Sequence, residues 1–205
     1  IRPHGIAYHK EKKKYYLCCT ELDQIKILNQ KFIEVDKINL SKKKEYYGNK
    51  HHHLNDCEIV KNSLFVSMFS YSGNISNDVY DGSVVEYYLN EKKNERVIKG
   101  DLWMPHNIKY IDNIGLSVLN SFKGELLYNN LNVEGKFSGF ARGLAYDGKY
   151  FYVGLSRNRN FSKLKSTSLN TSIDTGVVIF EPNNKISRFI QLSPKLSEIH
   201  SILLI

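Results

Sequence analysis

Little in this chain could build a disulfide scaffold, a membrane span or a helical bundle. Its three cysteines, Cys18, Cys19 and Cys57, are odd in number and two are adjacent. Such a set makes no paired framework and favours a reducing compartment, so the expected location is cytoplasmic. No signal-peptide pattern and no apolar run of about 18 residues is present. Proline and methionine are scarce, at 4 and 2 residues, and no helix-period segment of about ten residues stands out. Arginine is scarce too: 6 stand against 23 lysines in a net charge of +8. The lysines gather at 12–14, 42–44 and 92–93, between strand-like runs. There they read as solvated turn tips and edge protection. A nucleic-acid or membrane patch would set its charge on one face, so neither partner is expected. The chain opens on Ile1 rather than Met and stops in Ile202-Leu203-Leu204-Ile205, so missing terminal sequence is expected.

What is abundant is aromatic and β-branched. The chain holds 14 Tyr and 10 Phe, in short runs broken by Asn, Gly, Asp and Lys, the pattern of an all-β protein. One phrase recurs at the head of five stretches. It reads His4-Gly5-Ile6-Ala7-Tyr8, Asn55-Asp56-Cys57-Glu58-Ile59, His106-Asn107-Ile108-Lys109-Tyr110, Arg142-Gly143-Leu144-Ala145-Tyr146 and His200-Ser201-Ile202-Leu203-Leu204. About four strand-like runs follow each of the first four copies. This repeat predicts a β-propeller: four four-stranded blades plus the first strand of a fifth, in a truncated five- or six-bladed propeller. A β-sandwich also has many short strands, but it predicts no recurring lead phrase. A single domain over 1–205 is expected.

The connections between first and second strands, and between third and fourth, are short. Longer ones fall at 41–53, 70–81, 100–105 and 156–175. In up-and-down blades these long loops emerge on the face where the innermost strands begin, which is the layout of a working surface on a rigid scaffold. The lead residues His4, Asn55, His106, Arg142 and His200 are expected at that mouth. His53 joins them by strand alternation, with Asp56 and Asn107 as neighbours. Neutral imidazoles of His4, His106 and His200 suit a divalent metal, the one cofactor expected. Alternatively Arg142 pairs a carboxylate or phosphate, Asn55, His53 and Asn107 orient the ligand, and His106, His200 and Asp56 act as acid or base. A third reading makes all of them satisfied polar residues lining a wet channel.

Other features carry less. Consecutive strand residues face opposite ways, so of His51-His52-His53 only His53 is assigned to the site. Cys18-Cys19 reads as buried structural thiol. Gly139-Phe140-Ala141-Arg142-Gly143 is too poor in glycine for a phosphate-cradling loop, and the basic stretch 157–165 reads as surface, or as a lid that steers anions.

The phrases MPHNIKY, SVLNSFKGEL, GFARGLAYDGKYFYVGLSR and TGVVIFE, with HLND upstream and EIHSI at the end, resemble an uncharacterised bacterial β-propeller family, a domain of unknown function. The HGIAY-type phrase is more loosely similar to NHL-repeat and gluconolactonase-type propellers. The family resemblance implies more blades than this chain holds, with most of the missing sequence before Ile1. Gluconolactonase-type propellers bind an axial divalent cation through carboxylates and Asn. Here Asp56 is the only carboxylate near the matching strand starts, which argues against a Ca²⁺-dependent lactonase. The expected function is therefore binding of a small anionic or sugar-like molecule in a polar His/Asn/Arg pocket, with metal-assisted hydrolysis or lyase chemistry as its extension. The alternative is a non-catalytic scaffold that presents its loops to a protein partner.

Overall fold

A computed structural model describes residues 2–40, 51–90, 95–165 and 167–205. The lysine groups at 42–44 and 92–93, and most of the 41–53 loop, lie outside the described residues.

Among the described residues, sixteen strands follow one another in four meanders. The first holds β1 (Pro3–His9), β2 (Lys14–Cys19), β3 (Gln24–Leu28) and β4 (Glu34–Asn39). The second holds β5 (Leu54–Val60), β6 (Ser63–Met68), β7 (Gly82–Tyr88) and β8 (Glu95–Leu102). The third holds β9 (Pro105–Ile111), β10 (Gly115–Asn120), β11 (Glu125–Tyr128) and β12 (Asn132–Lys136). The fourth holds β13 (Phe140–Tyr146), β14 (Phe151–Ser156), β15 (Gly176–Glu181) and β16 (Ile186–Gln191). In each sheet the strands lie side by side in sequence order, the arrangement of a propeller blade. One short helical turn, α1 (Phe161–Leu164), interrupts the last long loop.

The strands divide the work of burial. β2, β6, β10 and β14 are largely buried, whereas β16 is exposed along its whole length and β4 along most of it. Two compact units result, one through Tyr110 and one from Ile111, with the boundary inside β9. Each has its own core. In the first, Tyr16, Cys18 and Ile25 pack with Leu54, Leu64, Val66 and Val85. In the second, Leu119, Leu126 and Tyr128 pack with Leu144, Phe151, Val153 and Val178. All three cysteines are buried free thiols.

The recurring phrase marks a bulge. Pairing of β1 with β2 jumps from Pro3↔Cys19 to Ile6↔Leu17, so His4 and Gly5 oppose Cys18 alone. Asn55 and Asp56 likewise oppose Ser67, and Arg142 and Gly143 oppose Gly154. In β9, Asn107 at the same offset takes φ of +52°. A bulge bends its strand and re-aims the side chains beside it. Gly, Asp and Asn at this offset suit such backbone, and the facing Cys18, Ser67 and Gly154 are small.

Long second-to-third connections do occur at 69–81 and 157–175. In the first and third sheets the same connection is instead a tight 3₁₀ turn, Thr20–Leu22 and Ser121–Lys123. Each turn closes on a left-handed residue, Asp23 at φ +45° and Gly124 at φ +65°. The strand expected at EIHSI is not formed: residues 192–205 carry no strand. The segment still docks in a familiar register. A Cβ on Gly5 would meet Asp56 and Cys57, and a Cβ on Gly143 would meet Ser201 and Ile202, at the same offsets in the phrase. Thr20 Oγ1 donates to the Leu54 carbonyl at 2.6 Å, and Ser156 Oγ to the Ile199 carbonyl at 3.2 Å. Both acceptors immediately precede a lead residue. The tail thus lies against β13 and β14 as β5 lies against β1 and β2, but with no second strand to pair it.

Candidate functional site

In the first unit two of the predicted residues, His53 and His106, meet on one phenyl ring. The buried Asp23 carboxylate accepts the backbone N–H groups of His51, His52 and His53 at 2.5, 3.1 and 3.1 Å. That fixes the approach to β5 and holds His53 at φ of +52°. The His53 ring then stacks on Phe69, with centroids 4.1 Å apart and planes 7° apart. Phe69 meets His106 edge-on at 5.2 Å, and His4 stands 6.2 Å from His53. His106 is buried, and its Nδ1 lies 2.9 Å from the Met104 carbonyl. A carbonyl only accepts, so Nδ1 carries the proton and Nε2 is the basic nitrogen.

Asn55 and Asp56 form the β5 bulge. Asn55 is 4% exposed, and its Nδ2 finds no hydrogen-bond partner among the described residues. Asp56 is half-buried and accepts the Cys57 N–H at 2.9 Å. Burial raises its carboxyl to about 7, although Lys109 and two backbone N–H groups pull the other way. Asn107, the neighbour of His106, is half-buried.

In the second unit two of the lead residues, Arg142 and His200, meet directly. Arg142 is 5% exposed. Its Nη2 donates to His200 Nδ1 at 2.6 Å, and its Nη1 lies 3.2 Å from Glu198 Oε2. His200 Nε2 lies 3.0 Å from the same oxygen. Because Nδ1 accepts from a guanidinium, the proton sits on Nε2 and is donated to Glu198. Burial and the nearby Arg142 charge hold the His200 pKa below its ordinary value. Arg159 completes the group, its Nη1 2.8 Å from Glu198 Oε1. Burial pulls the Arg142 pKa down while Glu198 supports its charge. Beside these groups lies a cavity of about 20 Å³, lined by Phe140, Arg142, Ser156, Arg159, Asn160 and Glu198. That is room for about one water molecule, far below the roughly 300 Å³ at which pockets for drug-sized ligands begin.

Among the described residues no three His, Cys, Asp or Glu side chains gather as a metal site. The metal set His4, His106 and His200 read from the sequence is therefore not assembled among them. For His200 the nitrogens explain why: both are spent, on Arg142 and Glu198. Sequence reading missed Phe69 and Glu198. Phe69 carried no signal beyond an aromatic at a strand end. Glu198 did carry one: it stands two residues before its lead, as His53 does, and as Met104 does before His106.

The architecture has relatives among solved structures. The chain aligns with a crystal structure of a nidogen/laminin complex at 11% identity and a TM-score of 0.66, over 97% of this chain and 66% of that one. It aligns with a luciferin-regenerating enzyme at 9% identity and a TM-score of 0.59, over 97% of this chain and 78% of that one. Both neighbours are β-propellers. The chain thus spans slightly less than two thirds of the first relative's length. At such identities the likeness establishes the fold, a β-propeller, and nothing about activity. No curated protein matches. Residues 49–205, most of the chain, match the family described as a domain of unknown function, DUF4915, and the protein belongs to that family.

Proposed function

We propose that this propeller binds a small anionic molecule, with Arg142 as the anchor. The observation that carries this reading is a buried guanidinium at a lead position, opening on a cleft with Arg159 beside it. A buried arginine is costly unless an anion is held against it. It also offers a planar fork suited to carboxylate or phosphate. Asn160 supplies a neutral polar group in the lining, the kind that fixes a ligand's orientation. The luciferin-regenerating enzyme among the structural neighbours is consistent with small-molecule work on this scaffold.

The test is a calorimetric survey of carboxylates, inorganic phosphate and sugar phosphates against the wild type and Arg142→Met. At least one anion should bind the wild type and lose ten-fold or more in affinity (about 1.4 kcal/mol) in the variant. Binding that survives Arg142→Met unchanged would sink the assignment.

A scaffold role has an observation of its own. The outermost strands and their turns expose Phe32 (62%), Ile33 (57%), Ile186 (64%) and Phe189 (42%), apolar surface of the kind that protein partners cover.

A further inference from the structure

The anion-binding cleft already has an anion in it, and it comes from the chain itself. We propose that Glu198 is a resident ligand of the Arg142–Arg159 cleft, and that a small free carboxylate of the size of formate or acetate takes its place when the 197–202 segment leaves. The proposal rests on the anion-binding reading above and gives that site a ligand class and a means of control.

The contacts around Glu198 are those of a bound ligand. Both carboxylate oxygens are used: Oε1 by Arg159 at 2.8 Å, and Oε2 by Arg142 at 3.2 Å and by His200 at 3.0 Å. Donors set around a flat, two-oxygen group match a carboxylate. The charge points the same way. Two guanidiniums face one carboxylate and a His200 that accepts from Arg142, so removing Glu198 leaves the buried Arg142 charge, with the exposed Arg159 beside it, and no counter-charge. An uncompensated charge of this kind favours capture of an anion.

The segment that brings Glu198 is lightly attached. The Ser156 hydroxyl accepts the Ile199 N–H at 2.9 Å and donates to the Ile199 carbonyl at 3.2 Å, and the Arg157 N–H donates to the Ser197 carbonyl at 2.9 Å. Ile199 lies in the space left by Gly154, where a Cβ would come within 2.7 Å of its Cγ2. No strand ladder holds the segment, and Leu203 beyond it is 84% exposed. A strap attached this way opens more readily than a strand within a sheet. While docked it competes with any outside carboxylate. A strap docked nine-tenths of the time lowers apparent affinity about tenfold.

The experiment uses the full chain carrying Glu198→Ala, with Glu198→Gln as the shape-preserving control. Thermal unfolding is followed with sodium acetate, sodium chloride and sodium phosphate at matched ionic strength. The expected result is a lower Tm for Glu198→Ala that acetate raises saturably by about 3 °C or more. Chloride should not do so, and the wild type should move much less. In Glu198→Gln, acetate should shift the amide resonances of Arg142, Ser156 and Arg159, and the best anion of the wild-type survey should bind about tenfold tighter. Equal acetate responses in wild type and Glu198→Ala would overturn the proposal. Phosphate outperforming acetate would overturn the ligand class. If the wild type binds an anion through Arg142 while neither Glu198 variant takes acetate or binds tighter, Glu198 is structural and the binding reading stands. If no anion binds the wild type or either variant, both readings fall.

Discussion

Asp56 sits where its charge is expensive. It fills the β5 bulge against Gly5, whose hydrogen cannot be replaced by a methyl because a Cβ there would stand 2.0 Å from Asp56 Oδ1. Burial lifts its carboxyl from 3.8 to about 7. The folded state therefore holds a proton that the unfolded chain gives up near 3.8. Stability from this group is greatest below that value and falls as pH rises, with the loss complete just above 7. Asp56→Asn cannot ionise and avoids the loss. The difference in unfolding free energy, variant minus wild type, should grow between pH 4 and 7 and then level off, by about 1–3 kcal/mol for a half-buried group. Urea titrations across that range check it, and a flat difference would show that the carboxyl ionises normally. At this scale sequence reading was uneven. It named Arg142 and His200 as lead residues from repeat position, without pairing them. It passed over Glu198, because a lone Glu two residues before a lead looks like any surface acid until the bulge geometry shows where that offset points.

At the scale of elements, the lead phrase in β1, β5 and β13 is a physical object: a bulged first strand that faces a small residue. Strands and their order were legible because period-two alternation and turn residues act locally. The long loops of the second and fourth sheets were legible for the same reason. The absent strand at EIHSI was not, since a strand is defined by a partner and the sequence shows only the candidate. Where a partner is missing, side chains hold the segment instead, and one of them titrates. His200 accepts from Arg142 only while Nδ1 is unprotonated. Its folded pKa lies below the ordinary value near 6.5, so docking of the strap is intact above that value and weakens as pH falls through it. His200→Gln keeps an acceptor for Arg142 and a donor for Glu198 without titrating. Between pH 7 and 5.5 the wild-type amides of Ser156 and Ile199 should lose hydrogen-exchange protection relative to the variant, once exchange rates are corrected for pH. Parallel loss in both would assign the change to another group.

At the scale of the whole molecule, the chain is a series of similar four-stranded sheets. Stability in such a series is local, so damage to one member is felt nearby. The two cores make this explicit. One is built from β1 to β7 around Leu54 and Val66, the other from β10 to β15 around Leu144 and Phe151. The tail packs on the second unit through Ile199 and Ile202 against Gly143 and Gly154. Membership in DUF4915 and the propeller neighbours establish the scaffold on which this tail lies. Deleting residues 197–205 therefore has an effect with an address. It removes the cover from the Gly143–Gly154 groove, both hydrogen bonds of Ser156, and the counter-charge of Arg142 and Arg159. Exchange protection should drop about tenfold or more at the amides of Leu144, Val153 and Leu155, which is about 1.4 kcal/mol of local stability. The amides of Leu64, Val66 and Val85 in the first core should keep theirs. Native-state hydrogen exchange of the full and shortened chains makes the comparison. Uniform loss across both cores would mean that the tail supports the molecule as one cooperative unit, and no loss at β13 and β14 would mean that it only rests on them.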